Sequence, residues 1–268
     1  MSLASFVNAG LSRFGVRIVR VEPETEPRRG NPYPLDVDDA DGQDVEVNKV
    51  LNLLSYAKNI GASYNAQAFE SGYHSLTIGP RRFAGQRDPE QRLAGVPFDF
   101  TSATVLDLGC NQGGMLFSIA DRIQAGIGVD YDPRMVNAAN RIRACKGLDN
   151  VHFYVFDLAR EDFQLLRNFL PGRKVDIVFL LSVCMWLPNW KAVIDAARSI
   201  SDTLLFESNG TEQQQRDQED YVRGSYANVA LLREASTDDR KQTRRRLFLC
   251  RTATAVQPAT KATQAQPA

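Results

Sequence analysis

Thr104-Val-Leu-Asp-Leu-Gly-Cys-Asn-Gln-Gly-Gly114 decides the fold. A short apolar run ends in an acid, turns through Gly109 and opens toward a second apolar stretch. That pattern predicts a buried strand over Thr104–Leu108, a glycine loop, and a helix over residues 114–122. Glycine lets such a loop come close to a ligand with no Cβ in the way. A dinucleotide loop would read G-x-G-x-x-G and hold a pyrophosphate at the helix N-terminus. Here Gly109 and Gly113 are four apart and Asp107 precedes the first. A carboxylate there repels a diphosphate and suits a cationic amino-acid head, so a sulfonium nucleoside is expected rather than a nicotinamide cofactor.

Working outward, further strands are predicted over 126–130, 151–156, 175–181 and 203–206, with helical patterns between them. Pro133 stands where a helix could begin, and residues 190–200 read as another helix. Strands alternating with helices imply an α/β fold: a Rossmann-like, mostly parallel sheet with helices on both faces. Residues 228–233 and 245–250 read as an antiparallel hairpin at the C-terminal edge. The expected organisation is a helical, loop-rich lid over residues 1–100, a cofactor-binding domain over 101–252, and a disordered tail over 253–268, rich in Ala, Thr, Gln and Pro. Within the first zone, Val47, Val50, Leu51 and Leu54 fall at helical spacing.

Two more acids fall at strand ends. Asp130 lies about twenty residues past the loop, where a Rossmann-like site holds ribose hydroxyls. Asp157 follows the third strand, placed to accept from an adenine amino group, with Phe156 or Tyr131 packing on the ring. An Asp after one strand is most often a turn former; three at successive strand ends beside a glycine loop point to one nucleoside.

Composition narrows the field. Lys+Arg and Asp+Glu number 32 each, so no global field calls for nucleic acid or membrane. Cys110, Cys145, Cys184 and Cys250 are widely spaced, which speaks against a zinc site or a disulfide framework and for a reducing cytoplasm. No run is long enough to span a bilayer. Residues 3–21, with Arg13, Arg17 and Arg20 among apolar neighbours, are read first as domain packing and second as a peripheral membrane contact.

Residues 104–207 resemble the core of class I S-adenosylmethionine-dependent methyltransferases. D-L-G-C-N-Q-G-G stands as the first motif, G-V-D-Y-D-P as the second, V-F-D-L as the third and D-I-V-F-L-L-S-V as the fourth. The resemblance implies S-adenosyl-L-methionine as cofactor, held by Asp107, Gly109, Cys110, Asn111, Gln112, Gly113, Asp130, Tyr131, Phe156, Asp157 and Leu181. Asn111 is a departure, since many members have Gly there. Tyr73-His-Ser-Leu, Gly85-Gln-Arg-Asp-Pro-Glu-Gln-Arg-Leu, Phe206-Glu-Ser-Asn-Gly and residues 11–20 are similar to a subgroup that methylates sugars or phosphates of bacterial surface polysaccharides. Tyr73-His-Ser-Leu and Gly85-Gln-Arg-Asp-Pro-Glu-Gln-Arg-Leu are also similar to tRNA wobble-uridine carboxymethyltransferases.

A hydroxyl acceptor needs a general base, and the chain has two histidines. His74, in the expected lid, and Glu207, at the end of the fifth strand, are the candidates; His152, at a strand start far from the site, is read as structural. An acceptor already anionic, such as a phosphate, would need no base. Arg82 or Arg92 could hold a carboxylate, and Trp186, Pro188 and Trp190 could wall an acceptor pocket. The leading expectation is O-methylation of a glycan or small-molecule acceptor. An RNA substrate ranks second, against the neutral charge; a non-catalytic cofactor-binding subunit is third, and hydride transfer is weakest.

Overall fold

The computed structural model describes residues 42–57, 69–236 and 244–252. The membrane-contact reading of residues 3–21 and the tail over 253–268 lie outside them. Helix α1 (Gly42–Ala57) is followed by a small hairpin, β1 (Leu76–Ile78) and β2 (Arg81–Phe83), and by the short helix α2 (Pro89–Leu93). Then come β3 (Thr104–Leu108), α3 (Gly114–Phe117), β4 (Ala125–Asp130), α4 (Pro133–Cys145), β5 (Val151–Val155) and β6 (Ile177–Leu181). The chain continues through α5 (Trp190–Ile200), β7 (Thr203–Glu207), α6 (Glu212–Ser225), β8 (Asn228–Arg233) and β9 (Leu247–Arg251).

The seven-stranded sheet runs β5-β4-β3-β6-β7-β9-β8. Its first five strands are parallel; β9 is antiparallel to β7, and β8 to β9. The C-terminal pair therefore forms as expected, with β9 inserted between β7 and the edge strand β8. The runs that read as continuously apolar are buried on both sides, as parallel strands under two helical layers must be. Period-two alternation sorts their side chains. Leu106, Leu108, Val178, Leu180, Leu204 and Phe206 pack with Val193, Ile194 and Ala197 of α5 and Val222 of α6. Val105, Ile177, Phe179, Leu181 and Leu205 pack with Met115 and Leu116 of α3 and Val136 and Ala139 of α4.

Helix starts follow local chemistry. Asp132 caps α4 by accepting from the Arg134 N–H, with Pro133 in the first turn. Thr211 and Gln214 form a capping box at α6. Val47, Val50, Leu51 and Leu54 are buried on α1, which packs on α4. Helix α3 is shorter than the expected 114–122. Ser118 Oγ donates to the Met115 carbonyl at 2.7 Å, and Asn150 Nδ2 donates to the carbonyls of Ala120 and Ile123. These side-chain donors satisfy backbone acceptors in a run of turns, so the helix need not continue.

Strand β3 has β4 on one side and β6 on the other, so connections leave it in opposite directions. The carboxyl ends at this switch point form the crevice where open α/β sheets bind ligands. Asp107, Asp130 and Ser182 lie there, with Glu207 at the end of the neighbouring β7.

Candidate active site

The glycine loop is shaped by backbone that ordinary residues resist. Gly109 and Gly113 both have φ near +80°. A Cβ at Gly109 would lie 2.6 Å from Val183 Cγ2, and one at Gly113 would lie 2.6 Å from the Phe153 ring. Asn111 takes φ +51°, the left-handed region that Asn tolerates best among residues with a side chain. Its Oδ1 accepts from the Gln112 N–H at 2.9 Å. The departure from glycine at this position is thus locally compensated.

Asp107 is buried, and its Oδ2 has no hydrogen-bond partner among the described residues. Burial raises its carboxyl to about 7, against the opposing pull of the Arg92 guanidinium. Arg92 is also buried; its Nη2 is spent on Glu207, while its Nε has no partner among the described residues. A buried carboxylate and a buried guanidinium, each with an unmet polar atom and in each other's field, are matched in charge to a zwitterion. An α-amino acid has the ammonium and the carboxylate to meet them.

Asp130 closes the loop from β4. One oxygen accepts from the Asn111 N–H at 2.8 Å and the other from the Asp132 N–H at 3.0 Å. Each carboxylate oxygen has two acceptor sites, so capacity for ribose hydroxyls remains. Burial raises this carboxyl too, partly offset by those backbone donors. Tyr131 follows it with 71% of its surface exposed. Asp157 is half-buried and accepts from the Ala159 N–H at 2.9 Å.

Several expected ligands have other duties. Phe156 is in the core, edge-on to Phe169 at 6.4 Å, because it falls on the same face as Tyr154, which stacks on that ring at 4.5 Å. Of the two expected rings, Tyr131 is the exposed one. The Cys110 side chain points into the sheet, where a Cβ on Gly128 would meet it at 2.9 Å, and burial pushes its thiol up. The Leu181 side chain belongs to the same apolar layer, and the Cys110 backbone is spent within the loop: its N–H donates to the Val129 carbonyl and its carbonyl accepts from the Gly113 N–H, each at 2.9 Å. Gln112 Nε2 donates to the carbonyls of Ser71 and His74 at 2.8 and 3.0 Å, and its Oε1 accepts from the Tyr73 N–H at 3.3 Å. Its side chain ties the segment 71–74 to the loop rather than reaching a cofactor.

Both candidate bases are enclosed. His74 is buried against Gly114, whose added Cβ would lie 2.4 Å from His74 Cβ. A base must reach the acceptor, and this ring instead packs against Gly114 and the Tyr73 ring. Glu207 is buried among donors. Arg92 Nη2 donates at 2.7 Å, Arg87 Nη2 at 3.0 and 3.2 Å to its two oxygens, and the Ser182 hydroxyl also donates to it. Burial alone would raise this carboxyl, but the guanidinium charges of Arg92 and Arg87, with Ser182, hold it below the ordinary value. A depressed carboxylate is a poor base.

Arg82 stays on the surface with Asp88 and Glu90, so of the two arginines Arg92 is the one the fold brings to the crevice. His152 sits at the start of β5, 3.0 Å from Arg143 Nη1, away from the site as expected. Trp190 packs edge-on to Tyr221 of α6. Trp186, 71% exposed in the turn after β6, remains at the rim. Arg87 and Ser182 were not among the expected site residues. Ser182 takes φ +63° and accepts from Arg245 Nη1 at 3.2 Å. Arg-Asp-Pro-Glu did contain a signal: Asp88 as N-cap and Pro89 at the first turn start α2, whose last turn presents Arg92.

Comparison with known proteins agrees with this geometry. Residues 99–218 match the methyltransferase-domain family. The chain is 32% identical over 112 residues to trans-aconitate 2-methyltransferase of Azoarcus sp. (strain BH72), covering 40% of this chain and 39% of that protein. It is 29% identical over 102 residues to aklanonic acid methyltransferase DauC of Streptomyces sp. (strain C5), covering 37% and 43%. The chain thus spans about two fifths of the curated relatives it matches. Among solved structures, the N-terminal domain of EvdMO1, in the presence of SAH and D-fucose, superposes with TM-score 0.56 at 13% identity, over 79% of this chain and 97% of that one. WbdD superposes with TM-score 0.51 at 18% identity, over 63% and 42%. Fold, loop and family match converge: residues 99–218 of this chain are a Rossmann-like, class I S-adenosylmethionine-dependent methyltransferase domain.

Proposed function

We propose that the protein transfers a methyl group from S-adenosylmethionine to an oxygen of a sugar or phosphate in a bacterial surface glycan. The buried Asp107 and Arg92, each with an unmet polar atom, carry the cofactor half of this reading, because together they match the ammonium and carboxylate of an amino-acid head. In it, Asp107 receives the ammonium, Arg92 the carboxylate, Asp130 the ribose hydroxyls and Asp157 the adenine amino group, with Tyr131 on the ring. The sulfonium supplies an electrophilic methyl group, and the protein's task is to align an acceptor oxygen with it and keep water out. Residues upstream of 100 serve as the lid, of which the hairpin and the segment 71–74 form the part clamped to the loop by Gln112.

Three observations support an acceptor of this class. Trp186 offers an exposed ring at the rim, suited to the apolar face of a sugar. The EvdMO1 domain was solved with D-fucose as well as SAH. The enclosure of His74 and Glu207 favours an acceptor oxygen that is already anionic, such as a phosphate, over a neutral hydroxyl. Transfer of labelled methyl groups from S-adenosylmethionine should be assayed with extracted surface polysaccharide and with bulk tRNA. Label in the polysaccharide is expected; label in tRNA alone would overturn the acceptor assignment and leave the methyltransferase standing.

A further inference from the structure

Glu207 has a denser set of donors than the end of a strand requires. Arg92 reaches it from α2, Arg87 from the residue before that helix's cap, and Ser182 from the end of β6. A guanidinium is planar, so a bond that fixes Nη2 also fixes the plane and with it the direction of Nε–H. On Arg92 the Nη1 nitrogen donates to Met115 Sδ at 3.6 Å, while Nε–H is buried with no partner among the described residues, and the charge is felt at Asp107. Leaving a charged donor buried and unmet is unfavourable unless an anion meets it. Glu207 and Met115 take the two terminal nitrogens of Arg92 and leave Nε–H for a ligand.

We propose that Glu207 is a positioning residue: resting on the cofactor reading above, it orients Arg92 so that the unmet Nε–H receives the carboxylate of S-adenosylmethionine. The same carboxylate holds Arg87, so the loop that carries α2 is tied to β7 at the point where the cofactor's head group lies. Glu207 touches neither the acceptor nor the methyl group in this role. Its loss acts on cofactor recognition and specifically on the carboxylate.

The test compares calorimetric affinities for S-adenosylmethionine and for its decarboxylated form, which keeps the sulfonium and the ammonium. Wild type should prefer the carboxylated compound. Glu207→Gln should weaken S-adenosylmethionine by roughly tenfold or more, as expected for a residue in one hydrogen-bonded network, and leave the decarboxylated compound nearly unchanged. Glu207→Asp, which keeps the charge, should recover part of the preference. With Arg92→Ala in place, Glu207→Gln should have no further effect on it. Circular dichroism and Tm identify variants that have not folded, and Glu207→Asp keeps the test usable if Glu207→Gln has not. Equal loss for both compounds, or additive effects of the two substitutions, would overturn the proposal and leave the cofactor reading intact. No binding of S-adenosylmethionine by wild type would overturn both.

Discussion

Asp107 bears two opposed demands, burial in the folded chain and charge for a ligand. Its carboxyl titrates near 7 when folded, against about 3.9 in an unfolded chain. The folded state therefore holds this proton more tightly, and stability attributable to Asp107 is full below about pH 4 and falls as pH rises through 7. Asp107→Asn should raise Tm relative to wild type at pH 8, by a stability gain of up to about 4 kcal/mol, and give little gain near pH 4. A Tm difference that does not change with pH would mean the burial effect has been misjudged. Cofactor binding runs the other way, since an ammonium favours the ionised form. Affinity of wild type for S-adenosylhomocysteine should tighten between pH 6 and pH 8, and Asp107→Asn should bind weakly at both. At Gly114 the constraint is steric. A methyl group would meet His74 Cβ at 2.4 Å, so Gly114→Ala should cost about 1–3 kcal/mol by overpacking, measured by urea unfolding.

At the scale of elements, the junction between the hairpin segment and the glycine loop is polar and narrow. Gln112 makes three hydrogen bonds to the backbone of residues 71–74. Gln112→Ala leaves those buried groups unmet, at a cost of about 1–3 kcal/mol. Amide hydrogen exchange over residues 71–76 should quicken more than in β3 or β6, because the loss is local. Uniform quickening across the sheet would show that the segment and the core open as one unit. The start of α4 was legible because Pro133 marks it, whereas the Asp88-Pro89 start of α2 and the Thr211 cap of α6 carried the same kind of signal and were not read. The end of α3 was not legible, because Asn150, far along the chain, takes the carbonyls of Ala120 and Ile123. Periodicity could place the helix start but could not count donors that arrive from another loop.

For the whole molecule, the sheet order sets Asp107 and Asp130 on adjacent parallel strands that end together, paired in register through Asp107↔Gly128 and Leu108↔Val129. A nucleoside spanning them ties two strands and the loop at once, so it should stabilise the fold by mass action. S-adenosylhomocysteine at about a hundredfold its Kd should add about 2.7 kcal/mol to unfolding stability, seen as a rise in Tm, whereas NAD should add none. Asp130→Ala should remove most of that rise, and a full rise in that variant would mean the ribose is held elsewhere. Among the described residues no helix is long and apolar enough to cross a membrane.

Strand alternation, the glycine loop and the three strand-end acids were readable in the chain because they are local: apolar period, left-handed backbone and acids at fixed offsets all lie within a few residues of each other. Which of two aromatic residues is exposed, which arginine is buried, and whether Glu207 is open or clamped depended on contacts between distant segments. Tyr131 and Phe156, or Arg82 and Arg92, are chemically alike in one dimension. Only burial, which the folded sheet and its hairpin create, separates a ligand-facing side chain from a surface or core one.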